Sequence, residues 1–200
     1  MRRLGPTLAA LLLPLAAAAK PPAAKPSLET AVFAGGCFWC MTPPFEKLAG
    51  VAKVVSGYVD GSGDSPTYED YAERGFVEAV QVTFDPAKVS YGRLLDVYWR
   101  QVDPTDSGGQ FCDRGPQYRP VIYWATNEQK SAAEESEAAL AASGRFKGPV
   151  SVELRPAPRF WPAEGYHQDY WKKNPVRYHY YRWGCGRDQY LDKVWGEGKH

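Results

Sequence analysis

From Leu28 to near its end this chain alternates between two periodicities, and that alternation constrains the fold more than any other feature. TAVFAGG, VAKVVSGYVDG, FVEAVQVTFD, RPVIYWA and VSVELRPA are rich in β-branched and aromatic residues and read as strands. Between them lie helix-like stretches. CMTPPFEKLAG is ended by Gly50 and tolerates Pro43 and Pro44 only near its first turn. SYGRLLDVYWRQV takes Ser90 as its cap, and NEQKSAAEESEAALAASG has Asn127 at its cap and Gly144 at its stop. AEGYHQDYWKKN places basic residues in its last turn. Helices interleaved with strands bury their apolar stripes against a sheet, so the class is α/β or α+β. No repeat recurs at a period of roughly 20–50 residues.

The N-terminus has a different character. Arg2 and Arg3 precede a short apolar run, Leu8–Ala19, that ends in small residues, the pattern of a secretory signal peptide over 1–19. The run is too short to span a bilayer, which takes about 20 residues, so no stable membrane insertion is expected once it is removed. An exported protein follows, periplasmic or secreted. KPPAAKPS, 20–27, is a Pro-rich linker, and 28–200 is expected to be a single, monomeric domain. Without Arg2 and Arg3 the chain carries 22 basic and 23 acidic residues, which leaves no basic field to hold a nucleic acid. YHYYRW, Tyr178–Trp183, lacks a basic stripe and reads as a buried tail, not a base-stacking platform.

Four cysteines in an exported protein suggest structural disulfides, but Cys37 and Cys40 are too close in sequence to gain much from closing a loop. They stand where a strand gives way to a helix, a position whose free N–H groups favour a thiolate. If the turn continues as helix, the two side chains share one face. One thiol can then attack and the other resolve. A zinc site lacks ligands, since no second C-x-x-C exists and only His167 and His179 lie in the body of the domain. A thiol-disulfide exchange motif fits the spacing, but Phe38 and Trp39 between the cysteines are better suited to wall a pocket.

GCFWC resembles the signature of the A-type peptide methionine sulfoxide reductases, in the version with the second cysteine inside the motif. PPFEKLAGV, SGYVDG, SPTYEDY, EAVQVTFDPAKVSYGRLLDVYW, QVDPTDSGGQFCDRGPQYRPVIYW and AEGYHQDYWKKNP follow in that family's order, so the resemblance runs from Val32 to Trp195. It implies a ferredoxin-like two-layer sandwich: a mixed sheet with flanking helices and a long coil-rich C-terminal part. It also implies reduction of methionine S-sulfoxide, free or in proteins, with no cofactor and no metal. By that resemblance Cys37 is the nucleophile and Cys40 the resolving thiol. Tyr68 and Tyr118 supply hydroxyls to the sulfoxide oxygen, Glu78 the proton, and Asp113 a carboxylate that orders the site. Phe38 and Trp39 hold the S-methyl group. Thioredoxin or an exported thioredoxin-like protein resets the disulfide. The alternative is a secreted disulfide-stabilised binding module or an exchange protein without sulfoxide chemistry.

Two departures from the family stand out. GFVE, with Phe76 and Val77, replaces the usual G-H-A-E, and the segment between Tyr68 and Glu78 is about two residues short. Both bear on where Glu78 enters its strand. Cys112 and Cys185 are either a structural staple or a second resolving relay, with the staple the simpler reading because Cys40 already suffices to resolve Cys37. His167 is expected to pack a helix and rim the pocket.

Overall fold

The computed structural model describes residues 27–196 and residue 198, so the expected signal peptide and nearly all of the linker lie outside the described residues. In chain order the elements begin with β1 (Glu29–Ala34), α1 (Phe38–Glu46), β2 (Val51–Val59), β3 (Val77–Phe84) and α2 (Tyr91–Trp99). Next come the two-residue strands β4 (Gly109–Gln110) and β5 (Asp113–Arg114), a 3-10 turn at Pro116–Tyr118, β6 (Val121–Trp124) and α3 (Asn127–Ala142). β7 (Glu153–Pro156), β8 (Trp161–Pro162), α4 (Tyr170–Lys173), α5 (Pro175–Gly184) and α6 (Arg187–Trp195) complete the fold.

β1 and β2 both pair antiparallel with β3, which lies between them, so β1-α1-β2 is a parallel crossover split by a third strand. β3 and β6 stand in the same relation about β1, with α2 in the connection. Two interlocked split βαβ units give the ferredoxin-like order β6-β1-β3-β2. β7 extends this sheet parallel to β6, and β8 covers the other edge on β2.

The pleat sorts the side chains. Ala31 and Phe33 of β1 enter the core beneath the helices, while Val32 and Ala34 join a smaller cluster on the opposite face. In β3, Val80, Val82 and Phe84 face the helices, and Val77 and Ala79 face away. Glu78 shares the parity of the helix-facing residues and is therefore aimed into the core. Phe33 centres that core, stacked on Phe45 of α1 at 5.1 Å and on Tyr98 of α2 at 5.4 Å.

Five expectations need correction. Helix α1 begins at Phe38, which puts Pro43 and Pro44 beyond its first turn. Pro44 has no N–H for the Cys40 carbonyl four residues back, and the buried Arg182 supplies the missing donor from Nη1 at 3.1 Å. The cap of α3 is Thr126 and not Asn127, its hydroxyl accepting from the Gln129 N–H at 3.2 Å. The coil-rich character of the C-terminal part stops at Asp169, beyond which the chain is mostly helical. Asp169 itself is left-handed at φ 54, which shortens the expected late helix to α4. Pro175 then starts α5, with its φ set for a first helical position, and Gly186 at φ 72 separates α5 from α6. YHYYRW lies in α5 and is buried on one face only. Tyr178 and Arg182 are covered, and Tyr180 and Trp183 are exposed.

Arg187, at the start of α6, is 1% exposed and is the largest fully buried side chain. Its guanidinium donates to the Gly35 carbonyl and the Gln101 carbonyl, both at 3.0 Å, and approaches Met41 Sδ at 3.6 Å. This one side chain joins the last helix to the β1-α1 turn and to the end of α2. Gly36, at φ 80, lies so close that a Cβ there would stand 2.6 Å from Arg187 Nη2. Arg187→Ala is expected to strand two buried carbonyls, at roughly 1–3 kcal/mol each, and to lower the urea midpoint accordingly, with Arg187→Lys recovering only part of the loss.

Candidate active site

The site begins where β1 ends. The Gly35–Gly36 turn delivers Cys37 as the N-cap of α1, and its carbonyl accepts from the N–H groups of Cys40 at 3.0 Å and Met41 at 3.3 Å. That first turn of helix carries Cys40 round to the same side. Both cysteines are free and buried, and their thiols are hydrogen-bonded to each other.

Glu78 stands opposite Tyr58 in the β2-β3 pairing and is 2% exposed. Its Oε2 accepts from the Phe38 N–H at 2.9 Å, one of the amides that a helix start leaves without a carbonyl. Its Oε1 lies within hydrogen-bonding distance of the Tyr71 hydroxyl, at 2.9 Å. Burial lifts the Glu78 carboxyl to about 8, against the two hydrogen bonds that oppose the rise. The acid is therefore mostly neutral at pH 7. The short segment before β3 holds its shape by returning Phe76 N–H to the Tyr71 carbonyl at 2.9 Å and burying the Phe76 ring.

The two thiols lose their first proton as a pair. Burial holds the Cys37 thiol well above its ordinary value, aided by its hydrogen bond with Cys40 and by the nearby acidic groups of Glu78 and Asp113. Cys40 is brought down to about 7 by the Cys37 hydrogen bond and, against burial, by the Arg187 and Arg182 guanidiniums. A helix start was expected to favour a Cys37 thiolate. In the folded protein the Arg182 and Arg187 cations lie on the Cys40 side of the pair, so the two thiols hold a negative charge in common.

Aromatic rings surround the pair. Phe38 is buried against His167 at 4.9 Å and Tyr58 at 5.9 Å. Trp39 is half-buried and stacks flat on Tyr170 at 3.7 Å. Its indole N–H donates to His167 Nδ1 at 3.0 Å, which places the histidine proton on Nε2, a buried atom with no hydrogen-bond partner among the described residues. Burial keeps His167 below its ordinary value and hence neutral. His167 lies in the turn that precedes α4, packed against Phe38, Trp39 and Tyr68.

The remaining expected residues are distributed as follows. Tyr118 ends the 3-10 turn, and its hydroxyl lies 3.3 Å from Tyr71 Oη. Tyr68 is 41% exposed, its ring lying over Tyr71 at 5.7 Å and His167 at 4.6 Å. What anchors Tyr68 is its backbone N–H, which donates to Glu164 Oε1 at 2.8 Å. Asp113 accepts from the Tyr181 hydroxyl at 2.5 Å. Cys112, next to Asp113, is disulfide-bonded to Cys185, at the C-cap of α5, with Cα atoms 4.9 Å apart. These two cysteines and Asp113 are the one cluster of metal-type donors among the described residues, and the disulfide occupies both of its sulfurs.

Sequence reasoning passed over Tyr71, Tyr181, Arg182 and Arg187. The shortened segment after Tyr68 was the available signal for Tyr71, and the proline-freed carbonyl of Cys40 was the signal for Arg182.

A family model described as peptide methionine sulfoxide reductase matches residues 29–199. The chain is 53% identical over 173 residues to the peptide methionine sulfoxide reductase MsrA of Listeria monocytogenes serotype 4a, spanning 86% of this chain and 98% of that protein. It is 52% identical over 199 residues to the peptide methionine sulfoxide reductase MsrA 2 of Caulobacter vibrioides, spanning 98% of this chain and 100% of that protein. Among solved structures it is similar to methionine sulfoxide reductase A of Corynebacterium diphtheriae, with a TM-score of 0.67 and 30% identity over 76% of this chain and 77% of that one.

The Cys112–Cys185 bond spans a sequence separation of 73. Closing a loop of that length restricts the unfolded chain by about 4 kcal/mol. Cys185→Ser is expected to lose stability of that order without reductant and to match the wild type once dithiothreitol is present. A relay role would show otherwise, as slow turnover with a protein dithiol at an unchanged Tm.

Proposed function

The chain belongs to the peptide methionine sulfoxide reductase family, and from that membership we propose how its buried thiols and Glu78 reduce methionine sulfoxide to methionine. One observation carries the reading: a neutral carboxyl, seated on the first amide of α1, lies beside a pair of free thiols at the same helix start. Reduction of a sulfoxide needs both, a nucleophile for sulfur and a proton for the departing oxygen.

Cys37 gives its electron pair to the sulfoxide sulfur. The hydrogen bond to Cys40 allows its proton to pass to the neighbouring sulfur as it does so, and the two thiols act as one nucleophile. Glu78 supplies a proton to the oxygen, methionine departs, and Cys37 retains that oxygen as a sulfenic acid. Cys40 then attacks the sulfenic sulfur, water leaves, and a Cys37–Cys40 disulfide remains. Arg182 and Arg187 support this step by favouring the Cys40 thiolate. Phe38 and Trp39 form the apolar wall against which the S-methyl group packs, with Tyr170 fixing the indole plane. Tyr118 offers a hydroxyl to the oxygen, and Asp113, held by Tyr181, orders that side of the site. A fixed methyl wall and a fixed proton source accept one hand at sulfur, the S epimer.

An external dithiol protein of the thioredoxin kind completes the cycle, since the buried disulfide returns to thiols only by exchange with another pair. The basic start and short apolar run of the first nineteen residues support an exported enzyme that draws on an exported donor. The substrates in that setting are surface methionines of other exported proteins.

The direct test is turnover of the two methionine sulfoxide epimers with dithiothreitol. Only the S epimer is expected to react. Cys37→Ser should be inactive even for one turnover, whereas Cys40→Ser should release about one equivalent of methionine and retain a sulfenic acid detectable by mass spectrometry. Normal recycling by Cys37→Ser would falsify the assignment. The rate should rise with pH to about 7, as the thiol pair loses its first proton, and fall above about 8, as Glu78 loses the proton it must deliver. These two values belong to the coupled cluster and not to isolated groups. Glu78→Gln is expected to remove the fall at high pH and to slow the reduction step by about 10²- to 10⁴-fold.

A further inference from the structure

We infer that Tyr71 carries the proton of Glu78 to the sulfoxide oxygen through Tyr118, so that three groups act as one acid. The inference rests on the reductase reading above and specifies the route its proton takes.

The argument begins with what the Glu78 carboxyl can still reach. It is 2% exposed, and each oxygen already has a close partner: the Phe38 N–H on Oε2 and the Tyr71 hydroxyl on Oε1, both at 2.9 Å. A backbone N–H can only donate, so Oε2 must accept and the proton of the neutral acid sits on Oε1. That proton points at Tyr71 Oη. The Tyr71 hydroxyl then turns its own proton to Tyr118 Oη, 3.3 Å away. The carboxyl itself offers almost no surface to an incoming substrate. Tyr118, the last of the row, is only partly buried and so is more open than Glu78 or Tyr71 to an incoming group.

Tyr71 is built to hold this position. It is 4% exposed, its ring stacks on Tyr58 at 4.8 Å, and the Tyr58 hydroxyl is fixed in turn by Glu164 Oε2 at 2.9 Å. Burial keeps the Tyr71 and Tyr118 hydroxyls above their ordinary values, so neither ionises at rest. Tyr68, three residues earlier, presents an exposed ring instead and is tied only through its backbone N–H and its ring contacts.

The transfer balances. As the Cys37 sulfur bonds to the sulfoxide sulfur, Tyr118 gives its proton to the sulfoxide oxygen, Tyr71 gives its proton to Tyr118, and Glu78 gives its proton to Tyr71, the three moving together. Both tyrosines end as they began, and Glu78 ends as a carboxylate. That carboxylate accepts from Phe38 N–H and Tyr71 O–H, the two hydrogen bonds that favour the charged form. The product of the transfer is thus stabilised by donors already in place.

A double-mutant cycle tests the route, using single-turnover rates on methionine S-sulfoxide across pH 6 to 9. Tyr71→Phe is expected to slow the reduction step by about 10²- to 10⁴-fold and to abolish the fall in rate at high pH, as Glu78→Gln does. Tyr71→Phe/Glu78→Gln should be no slower than the slower single variant, because groups that act as a unit are lost together. Multiplying effects, or a Tyr71→Phe enzyme within threefold of wild type that keeps the high-pH fall, would overturn the relay while leaving the reductase reading intact. A wild-type protein inert toward the S epimer would instead defeat the reductase reading. Should Tyr71→Phe not fold, the wild type alone suffices. Its rate in mixed light and heavy water should bow with deuterium fraction if several protons move together, and a straight line would refute the relay.

Discussion

The first amide of α1 has no carbonyl four residues behind it, and what it finds instead is a carboxyl from the middle of a strand. The hydrogen bond from Phe38 N–H to Glu78 joins two elements that are 40 residues apart in sequence. It depends on β3 holding its register against β2, because a slip by one residue would turn Glu78 to the far face with Val77 and Ala79. It depends equally on the Gly35–Gly36 turn, which sets where the helix starts. In return it fixes Cys37 beside an acid that burial keeps protonated. The proposed nucleophile and proton source are thereby located by one backbone contact.

Cys40 illustrates a second economy. Two prolines in α1 break the hydrogen-bond ladder over Cys40, and the Cys40 carbonyl so released draws in Arg182. With Arg187 from α6, this guanidinium lowers the neighbouring thiol. A defect in helix geometry has become the means by which C-terminal helices reach the reaction centre. Tyr181 adds a third contact from the same region through Asp113, and the Cys112–Cys185 bond ties that loop to the end of α5. The C-terminal segment is therefore part of the site's electrostatics as well as its cover.

The layered sheet was legible because its strands are bounded by turn residues and its helices by caps. Ser90 caps α2 as its sequence suggests, its hydroxyl accepting from Arg93 N–H at 3.2 Å. Cys37, Cys40, Phe38, Trp39 and Glu78 were legible as types of residue in a family pattern, although the charge on the thiols was not. That charge depends on which cations fold back on them, and arginine is ordinarily read as a surface residue. Tyr71 was hidden for a related reason. Its role is set by how 67–75 turns back on itself, a shape held by contacts such as Arg74 with Asp70 and with the Ser62 carbonyl. The C-terminal helices, rich in aromatic and charged residues and interrupted by glycine, offered no clear periodicity, and tertiary anchors such as Arg187 decide their form.

Met41, one residue beyond Cys40, gives the Arg187 anchor another meaning. The chain has only two methionines, and Met1 lies outside the described residues. Met41 is 0% exposed, with its sulfur against the Arg187 guanidinium and its surroundings so tight that a Cβ on Gly35 would stand 3.0 Å from its Sδ. An oxidant approaching that sulfur would meet packed protein on one side and a cation on the other, with no room for an added oxygen. The fold thus shields from damage the one thioether in its core, and a catalyst of sulfoxide repair does not become its own patient.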